Sequence, residues 1–361
     1  MQAARKPHVL FLTRKWPPAI GGMENYSLNL AQSMSEMVNI YTHALPGRMD
    51  GRPPSMRALL LFFFSSAAAI IKQRKVDVIH IGDFVLWPLF LVARIFNRQA
   101  TVAITAFGLD LLYAEKNGIL PKIYRHYLRL CHFFCAKNLK VIAISSATGK
   151  ICKEKGYQSI KIAPLGVTVS KGEALSADST EARTPFVLFV GRLVKRKGAA
   201  WFASHVLPEL PPEIKMIVVG KKWDQEEFQI LMNSPRVDYR GTVSQKELKK
   251  LRREAIAVLM PNIPGNGADM EGFGLTALEA AADSGILIAS GIEGIVDAVI
   301  DGQTGFLLPT MDTMAWQEKI QDIQKWNMSK RNDFTSHALK ILKENYSWSR
   351  VAKNTIEAYR S

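Results

Sequence analysis

The chain has 361 residues, of which 48% are hydrophobic and 22% are charged, and its formal net charge at pH 7 is +15. This composition excludes a disordered protein and is typical of a globular chain long enough for two domains. The cysteines, Cys131, Cys135 and Cys152, lack the spacing of a disulfide framework or of a zinc site.

Positive charge is concentrated in the first half of the chain. Residues 1–170 contain 22 Lys and Arg against 8 Asp and Glu, whereas the remaining residues contain 25 against 24. A basic half-molecule indicates an anionic partner, which can be nucleic acid, anionic lipid or a phosphate-bearing acceptor. Aromatic residues do not interleave with the basic ones, and no helix-turn-helix, zinc-finger or RNP motif is present. We therefore expect no nucleic-acid binding. A basic nucleic-acid-binding protein is the alternative function from a class other than enzymes.

Short apolar runs alternate with helical patterns through the first half. Continuous apolar runs indicate buried strands of a parallel sheet, and they lie at 8–13, 76–81, 100–106 and 141–145, while residues 160–166 close the domain. Helical spacing follows at 26–37 and 87–95, and Ser145 is placed to cap a further helix. The first half is therefore predicted to be a doubly wound α/β domain.

Two segments of this half combine apolar with basic side chains. Residues 59–71 are strongly apolar and have basic flanks, but they are too few to cross a bilayer, which needs about twenty residues. They predict either a core helix or a helix in the membrane surface. Residues 119–137 form a basic amphipathic pattern, which fits equally an anionic membrane surface and an ordinary surface helix.

A change in composition separates the two halves. Residues 171–184 have hardly any large apolar side chain and are predicted to be an interdomain linker. Beyond it, apolar strands at 186–190, 216–220, 258–260 and 286–289 alternate with helical segments, which predicts a second doubly wound α/β domain over 185–345. The first domain then covers 1–170, and the chain ends in a predicted helix within 346–361.

A cationic loop follows the first strand of the second domain. The strand ends at Gly191, and four Lys or Arg residues follow between positions 192 and 197, before Gly198. We expect Arg192 to bind a diphosphate through its bidentate fork and Lys197 to bind it as a compact point charge. The alternative is a solvated turn whose charges have no ligand.

A glycine-rich strand-to-helix corner is predicted further along the chain, where Glu271 begins the run Glu-Gly-Phe-Gly-Leu-Thr-Ala-Leu-Glu. The first N–H groups of a helix lack partners and carry the positive end of its dipole, so such a corner binds anions. Gly272 and Gly274 would allow a phosphate to approach the main chain closely. Glu271 stands beside the mouth of this corner.

Glu279 has two interpretations. The spacing from Thr276 to Glu279 is that of a capping box, in which Thr276 would be the N-cap and Glu279 would fold back on its N–H in the first helical turn. The alternative is that Glu279 binds a ligand.

Together these motifs resemble the retaining glycosyltransferases of family 4, which have the GT-B fold. The Gly-Arg-Leu…Lys-Gly loop is followed, about eighty residues on, by Glu-Gly-Phe-Gly…Glu, as in that family. Further matches stand in the family's order at 17–25, 164–166 and 301–306, so the resemblance spans nearly the whole chain. It implies two Rossmann-like doubly wound α/β domains that face each other across a cleft, with the C-terminal helix packing back on the first domain.

The resemblance implies transfer of a hexose from a UDP- or GDP-sugar to a glycan or lipid-linked acceptor, with retention of anomeric configuration. It implies catalytic roles for Arg192, Lys197 and Glu271, of which Glu271 would bind sugar hydroxyls, whereas Glu279 would bind the ribose hydroxyls. The remaining residues of the implied donor site are Gly21, Gly22, Gly191, Thr242, Gly272, Phe273, Gly274, Leu275 and Thr276.

The sequence departs from the family pattern on the acceptor side. Many members have a histidine at the position of Phe107, close to the anomeric centre of the donor. Phe107, Asp110 and His80, which ends a neighbouring strand, are the residues that we assign to the acceptor side. The alternative for His80 is an ordinary structural histidine.

No Asp-x-Asp motif accompanies the predicted site, so we expect catalysis without a required divalent cation or any cofactor besides the nucleotide sugar. A nucleotide-sugar epimerase or phosphorylase of the same architecture is the alternative among enzymes. By analogy with the family's common setting, we expect a role in bacterial surface polysaccharide, lipopolysaccharide or glycolipid synthesis. Nothing at the N-terminus resembles a signal peptide, and we expect a cytoplasmic protein bound peripherally to the inner face of the cytoplasmic membrane.

Overall fold

The computed structural model describes residues 5–19, 21–48, 53–73, 75–169, 185–265 and 269–360. The predicted linker at 171–184 lies outside these residues. The chain forms two compact units. Unit 1 contains Met1–Gly166, Gly267–Gly272 and Trp348–Ser361, and unit 2 contains Val167–Asn266 and Phe273–Ser347.

Unit 1 is built on a six-stranded parallel sheet with the strand order β2-β1-β3-β4-β5-β6. The inner strands are apolar and almost wholly buried, because helices cover both faces of a parallel sheet. The strands are β1 His8–Thr13, β2 Asn39–Ala44, β3 Val78–Ile81, β4 Thr101–Ala106, β5 Lys140–Ala143 and β6 Ser159–Ile162.

Helices connect successive strands of unit 1. They are α1 Gly22–Ser35, α2 Met56–Lys72, α3 Leu89–Phe96, α4 Leu109–Leu112, α5 Ile119–Cys135 and α6 Ser146–Glu154, with 3₁₀ turns at Phe84–Leu86 and Tyr113–Glu115. The predicted cap of α6 is confirmed, because the Ser145 hydroxyl accepts a hydrogen bond from the Thr148 amide at 3.0 Å. No helix in the described ranges is both long and apolar enough to cross a membrane.

Unit 2 is built on a second six-stranded parallel sheet, with the strand order β12-β11-β10-β7-β8-β9. Its strands are β7 Phe186–Val190, β8 Lys215–Val219, β9 Val237–Gly241, β10 Val258–Met260, β11 Leu287–Ser290 and β12 Phe306–Leu308.

Helices cover both sheets. Those of unit 2 are α7 Ala199–Trp201, α8 Gln225–Met232, α9 Gln245–Glu254, α10 Leu275–Ala282, α11 Ile295–Ala298, α12 Thr313–Gln324 and α13 Met328–Asn345, with further turns at Lys195–Lys197, Phe202–Val206 and Leu207–Glu209. The last helix, α14 Trp348–Arg360, belongs to unit 1, where it packs along α1.

The predicted doubly wound α/β class is confirmed for both halves, but the sequence patterns missed β2, β6, β9 and β12. All four are edge strands, and their residues are only half buried or exposed. An edge strand contacts solvent on one side, so polar residues interrupt the continuous apolar run on which the strand predictions depended.

Candidate active site

The cationic loop after β7 is attached to the loops on both of its sides. The Leu193 amide donates to the Lys221 carbonyl, which follows β8, at 3.0 Å. The Ile263 amide, which follows β10, donates to the Arg196 carbonyl at 3.0 Å. Because β8 and β10 flank β7 in the sheet, these bonds fix the backbone that presents Arg192 and Lys197.

Gly198 ends this loop in a conformation that requires glycine. Its φ is +69°, and a Cβ atom there would overlap the carbonyl oxygen of Pro261, the residue after β10. Any other residue would be strained by the left-handed backbone conformation and would also collide with that oxygen. The glycine therefore allows the 3₁₀ turn that carries Lys197 to lie directly on the end of β10.

The four cations of the loop differ in exposure, so the loop is not a uniformly solvated turn. Arg192 and Lys195 are exposed, Lys197 is half-buried, and Arg196 is buried. The guanidinium carbon of Arg192 lies 5.2 Å from the ring centroid of Trp223. At this distance a guanidinium is attracted to the negative face of an indole, which restrains its orientation.

The capping-box interpretation of Thr276 is wrong. Helix α10 begins at Leu275 with Gly274 as its N-cap, because Gly274 has φ +90° and its carbonyl accepts the Ala277 amide at 2.8 Å. Thr276 therefore lies inside the helix, and Glu279 is in its second turn rather than its first. No side chain of the described residues caps this helix start, which leaves its first amides available for an anion.

Glu279 is paired with Arg252, a residue that the sequence analysis missed. Arg252 Nη2 donates to Glu279 Oε2 at 2.6 Å, and Arg252 Nη1 donates to Asp283 Oδ2 at 2.7 Å. The side chains of Arg252 and Asp283 are only 4% and 9% exposed, whereas that of Glu279 is 43% exposed. The buried guanidinium thus orients a carboxylate that still faces solvent.

The two motifs predicted from sequence converge at the end of β10. A Cβ atom on Gly274 would lie 3.3 Å from the Met260 Cε atom, and Met260 is the last residue of β10. Gly198 lies against the next residue, Pro261. The cationic loop and the start of α10 therefore meet at the carboxyl end of one strand, which is where ligands of open α/β sheets bind.

The other predicted donor residues of unit 2 occupy different environments. Gly191 directly follows β7, and its amide donates to the Val219 carbonyl at 2.9 Å. Thr242 follows β9 and is exposed. The Phe273 side chain is 2% exposed, so it is a core residue of the corner and only its backbone could face a donor.

Glu271 and Gly272 belong to unit 1. A Cβ atom on Gly272 would lie 2.7 Å from the carbonyl oxygen of Phe107, so the glycine allows this segment to pack on the predicted acceptor-side residue. Glu271, the preceding residue, is half-buried.

Gly21 and Gly22 form the start of α1. Gly21 is the N-cap and Gly22 is the first helical residue. A Cβ atom on Gly21 would overlap the carboxylate of Glu24, and that carboxylate also lies 3.5 Å from the Lys15 ammonium. An anionic side chain therefore already lies beside this helix start, which the family resemblance includes in the donor site.

Phe107, at the position of the family histidine, is buried in the core of unit 1. Its ring meets Tyr26 edge-on, with 5.4 Å between the ring centroids, and its amide donates to Asp110 Oδ1 at 3.1 Å. Burial, and then the charge of nearby Asp83, raise the pKa of Asp110 to about 7. The Asp83 carboxylate is itself paired with Arg14, with 2.7 Å between Nε and Oδ2.

His80 has the environment of a structural histidine. It is fully buried, with Nδ1 2.9 Å from the Tyr359 hydroxyl and Nε2 2.8 Å from the Thr105 hydroxyl. Burial lowers the pKa of His80 to about 3, so the ring is neutral at neutral pH. Both ring nitrogens are occupied inside the core, and in this arrangement His80 has no free nitrogen for an acceptor.

A metal site is not apparent in the described part of the chain, where no three His, Cys, Asp or Glu side chains come together as possible ligands.

Two doubly wound parallel sheets, with a cationic loop and a glycine-capped helix at the carboxyl end of one strand, define the GT-B class of glycosyltransferases.

Comparison with known families places the chain within this class. Residues 20–171 match the glycosyltransferase family 4 model, and residues 173–340 match the model of the glycosyl transferases group 1. The two models together cover most of the chain, which therefore belongs to the glycosyltransferases that combine these two domains and has the GT-B fold, as the sequence motifs predicted.

Similar proteins include sequence relatives and solved structures. The D-inositol 3-phosphate glycosyltransferase of Paenarthrobacter aurescens is 28% identical over 221 residues, which cover 56% of this chain and 51% of that protein. The chain thus spans about half the length of the curated relatives that it matches. The structure of Anabaena HepE with UDP and glucose has a TM-score of 0.70 at 17% identity, covering 98% of this chain and 99% of that one. The lipopolysaccharide outer core galactosyltransferase WaaB has a TM-score of 0.68 at 17% identity, covering 97% and 98%.

Proposed function

We propose that this glycosyltransferase moves a hexose from a nucleotide diphosphate sugar to a glycan or lipid-linked acceptor, with retention of anomeric configuration. We place the reaction in the synthesis of bacterial surface polysaccharide or glycolipid. The observation that carries the proposal is the convergence of Gly198 and Gly274 on consecutive residues at the end of β10. That arrangement joins a cationic loop and an uncapped helix start, both of which are suited to one diphosphate.

Charge development explains how this arrangement would catalyse the transfer. As the glycosidic bond breaks, negative charge accumulates on the diphosphate leaving group. Arg192, Lys197 and the amides at Leu275 and Thr276 would stabilise that charge more strongly in the transition state than in the ground state. The backbone bonds on both sides of the loop hold the cations in place before the reaction, so little reorganisation is needed.

The two glutamates have separate proposed roles. Glu279, oriented by Arg252 and still 43% exposed, is suited to accept hydrogen bonds from the ribose hydroxyls. Glu271 would bind hydroxyls of the sugar. Retention would follow if the acceptor attacks on the face that the leaving group vacates and a donor phosphate oxygen takes its proton, so no paired-carboxylate nucleophile is required.

Similar structures support the donor class and the setting. Anabaena HepE has been solved with UDP and with UDP-glucose, and WaaB is a galactosyltransferase of the lipopolysaccharide outer core. These findings favour a UDP-sugar donor and a cell-surface glycan product for this chain.

The surface of unit 1 supports association with an anionic membrane. Helix α5 buries Leu128, Cys131 and Cys135, and its outward face is apolar as well as basic. Its exposed apolar residues are Ile119, Leu120, Ile123, Leu130, Phe133 and Phe134. No acidic residue occurs between positions 119 and 137, so the helix itself contributes no negative side chain to this face.

Helix α2 has a similar exposed face. Its buried residues, Phe62, Ser66 and Ile70, recur every four positions and form one narrow stripe, while Leu61 and Phe64 are exposed. The helix therefore contributes to the core and leaves apolar surface outside it. We propose that α2 and α5 bind the headgroup region of anionic lipid, which would place a lipid-linked acceptor beside the enzyme.

Liposome cosedimentation tests the membrane proposal. Wild-type protein should sediment with vesicles containing phosphatidylglycerol and not with pure phosphatidylcholine. The variant K122E/R129E, which reverses two exposed charges of α5, should lose most of that binding. The control K246E/K250E reverses two exposed charges of α9 and should bind like wild type. Sedimentation that ignores lipid charge would rule out this part of the proposal.

A donor panel tests the catalytic proposal. UDP-, GDP- and ADP-sugars should raise the thermal midpoint unequally, because a bound donor stabilises the folded state. With the donor so identified, Arg192→Ala and Glu271→Ala should abolish transfer, while Lys246→Ala, an exposed cation of α9, should leave it unchanged. Full activity in either of the first two variants would refute the assignment.

A further inference from the structure

Trp223 is a large aromatic side chain that the fold leaves exposed at the edge of the candidate donor site. The residue is 64% exposed, although indole is one of the largest apolar groups that folding can remove from water. The one ring contact described for it is the Arg192 guanidinium, at 5.2 Å from its ring centroid. A single exposed aromatic residue is common on protein surfaces, so its position must decide whether it has a role.

The loop that carries Trp223 is held by backbone contacts around it. Lys222 pairs with Leu193 of the cationic loop, and the Asp224 amide donates to the Leu193 carbonyl at 3.0 Å. On the other side, the Tyr239 hydroxyl donates to the Gly220 carbonyl at 3.0 Å. The backbone on both sides of Trp223 is therefore fixed, and it holds the indole outside the core.

The sheet order places Trp223 between two loops that are assigned to the donor site. Strand β8 lies between β7 and β9, so the loop of Trp223 lies between the loop of Arg192 and the turn of Thr242. The Gly220 amide, which begins the loop of Trp223, donates to the Gly241 carbonyl at 2.7 Å and so joins it to that turn. Arg192 and Thr242 are both assigned to the donor site, and a nucleotide that reaches from one to the other would pass over the end of β8.

We propose that Trp223 is a further donor-binding residue, whose exposed indole surface stacks against the base of the nucleotide while Arg192 covers part of the ring. The inference rests on the proposed function and adds a base-binding contact to it. Base–aromatic stacking depends on π surface and tolerates different bases. Trp223 would therefore strengthen nucleotide binding without selecting among uracil, guanine and adenine.

A role in which Trp223 only orients Arg192 gives different expectations. Loss of that restraint would weaken binding of any diphosphate, with or without a base. Loss of a stack would weaken only ligands that carry a base. Inorganic pyrophosphate and nucleoside diphosphates therefore separate the two roles.

Calorimetric titration of wild type, Trp223→Ala and Trp223→Phe with UDP, GDP, ADP and pyrophosphate tests the proposal. The tightest nucleotide should bind Trp223→Ala about tenfold more weakly than wild type, since removing one aromatic stacking partner typically weakens binding by about 5- to 150-fold. Pyrophosphate affinity should stay within about twofold, and Trp223→Phe should retain most of the nucleotide affinity. Lys222→Met is the control from the same loop, and it should bind nucleotide like wild type. The Lys222 ammonium lies 4.3 Å from the Phe228 ring centroid, so its described partner is a side chain outside the proposed stack.

Two outcomes would overturn the proposal: equal losses for nucleotide and pyrophosphate, or unchanged nucleotide affinity in Trp223→Ala. Fluorescence gives a second test where pyrophosphate binding is too weak to measure. Nucleotide should quench indole emission in wild type and quench it less in Trp223→Phe, and equal quenching would overturn the stack. If wild type binds none of the nucleotides, the proposed donor class itself fails, which is a distinguishable result.

Discussion

Two carboxylates share the buried guanidinium of Arg252, and replacing each in turn separates ligand binding from structural support. Asp283 is 9% exposed, so Asp283→Ala removes a buried partner of a buried cation. Such losses cost about 3–5 kcal/mol when the remaining charge has no partner. Because Arg252 keeps Glu279, we expect the free energy of unfolding to fall by about 2–4 kcal/mol.

Glu279→Ala should have the opposite balance of effects. Its carboxylate is 43% exposed, and ion pairs near solvent contribute up to about 1 kcal/mol to folding. If it accepts hydrogen bonds from ribose, its loss removes charge-assisted bonds that contribute about 1.5–3 kcal/mol. We therefore expect nucleotide binding that is roughly 10- to 150-fold weaker in a protein of nearly unchanged stability.

Urea denaturation gives the free energy of unfolding, and calorimetry with the nucleoside diphosphate that binds wild type best gives the affinity. Asp283→Ala should be the less stable variant yet bind nucleotide within about twofold of wild type. The reasoning fails if the two variants lose affinity equally, because Glu279 would then act only as a second support for Arg252.

Gly198→Ala should weaken nucleotide binding and destabilise the protein more than Gly302→Ala does. Both glycines have a φ near +70°, but a methyl group at position 302 would have nothing within 4 Å, whereas one at position 198 would collide with Pro261. Equal losses of stability in denaturation and of affinity in calorimetry would contradict the importance of this collision. Between pH 6.5 and 5 the unfolded chain protonates His80, while the native ring, with a pKa of about 3, stays neutral. The free energy of unfolding should therefore fall by about 1.6 kcal/mol less in His80→Gln than in wild type, and an equal fall in the two proteins, measured by urea denaturation, would contradict this. Transfer activity, measured as release of nucleoside diphosphate, should persist after exhaustive treatment with EDTA. A loss of activity that Mg²⁺ or Mn²⁺ restores would contradict the prediction that no divalent cation is required.

The sequence by itself determined the elements whose signals are local. Strands β1, β7 and β10 were predicted with their observed bounds or close to them, because a strand buried on both faces must be a continuous apolar run. Ser145 was predicted as a helix cap, since a cap acts within three residues of itself.

Tertiary structure decided the contacts between distant positions. Local rules favoured Thr276 as an N-cap, but Gly274 took that role where it packs against Met260 and Ile295. His80 is held by Tyr359, which lies 279 residues away in sequence, and no pattern around either residue indicated the pair.

The same distinction applies to the site. The types and spacing of the residues indicated that a loop and a helix start bind phosphate, because backbone conformation and charge are local properties. Only the packing showed that Arg252 supports Glu279 and that Gly198 lies on Pro261. Such contacts depend on which helix covers which strand, and therefore on the order of the strands in the sheet. That order is fixed by the burial of apolar side chains across the whole domain and not by any single segment.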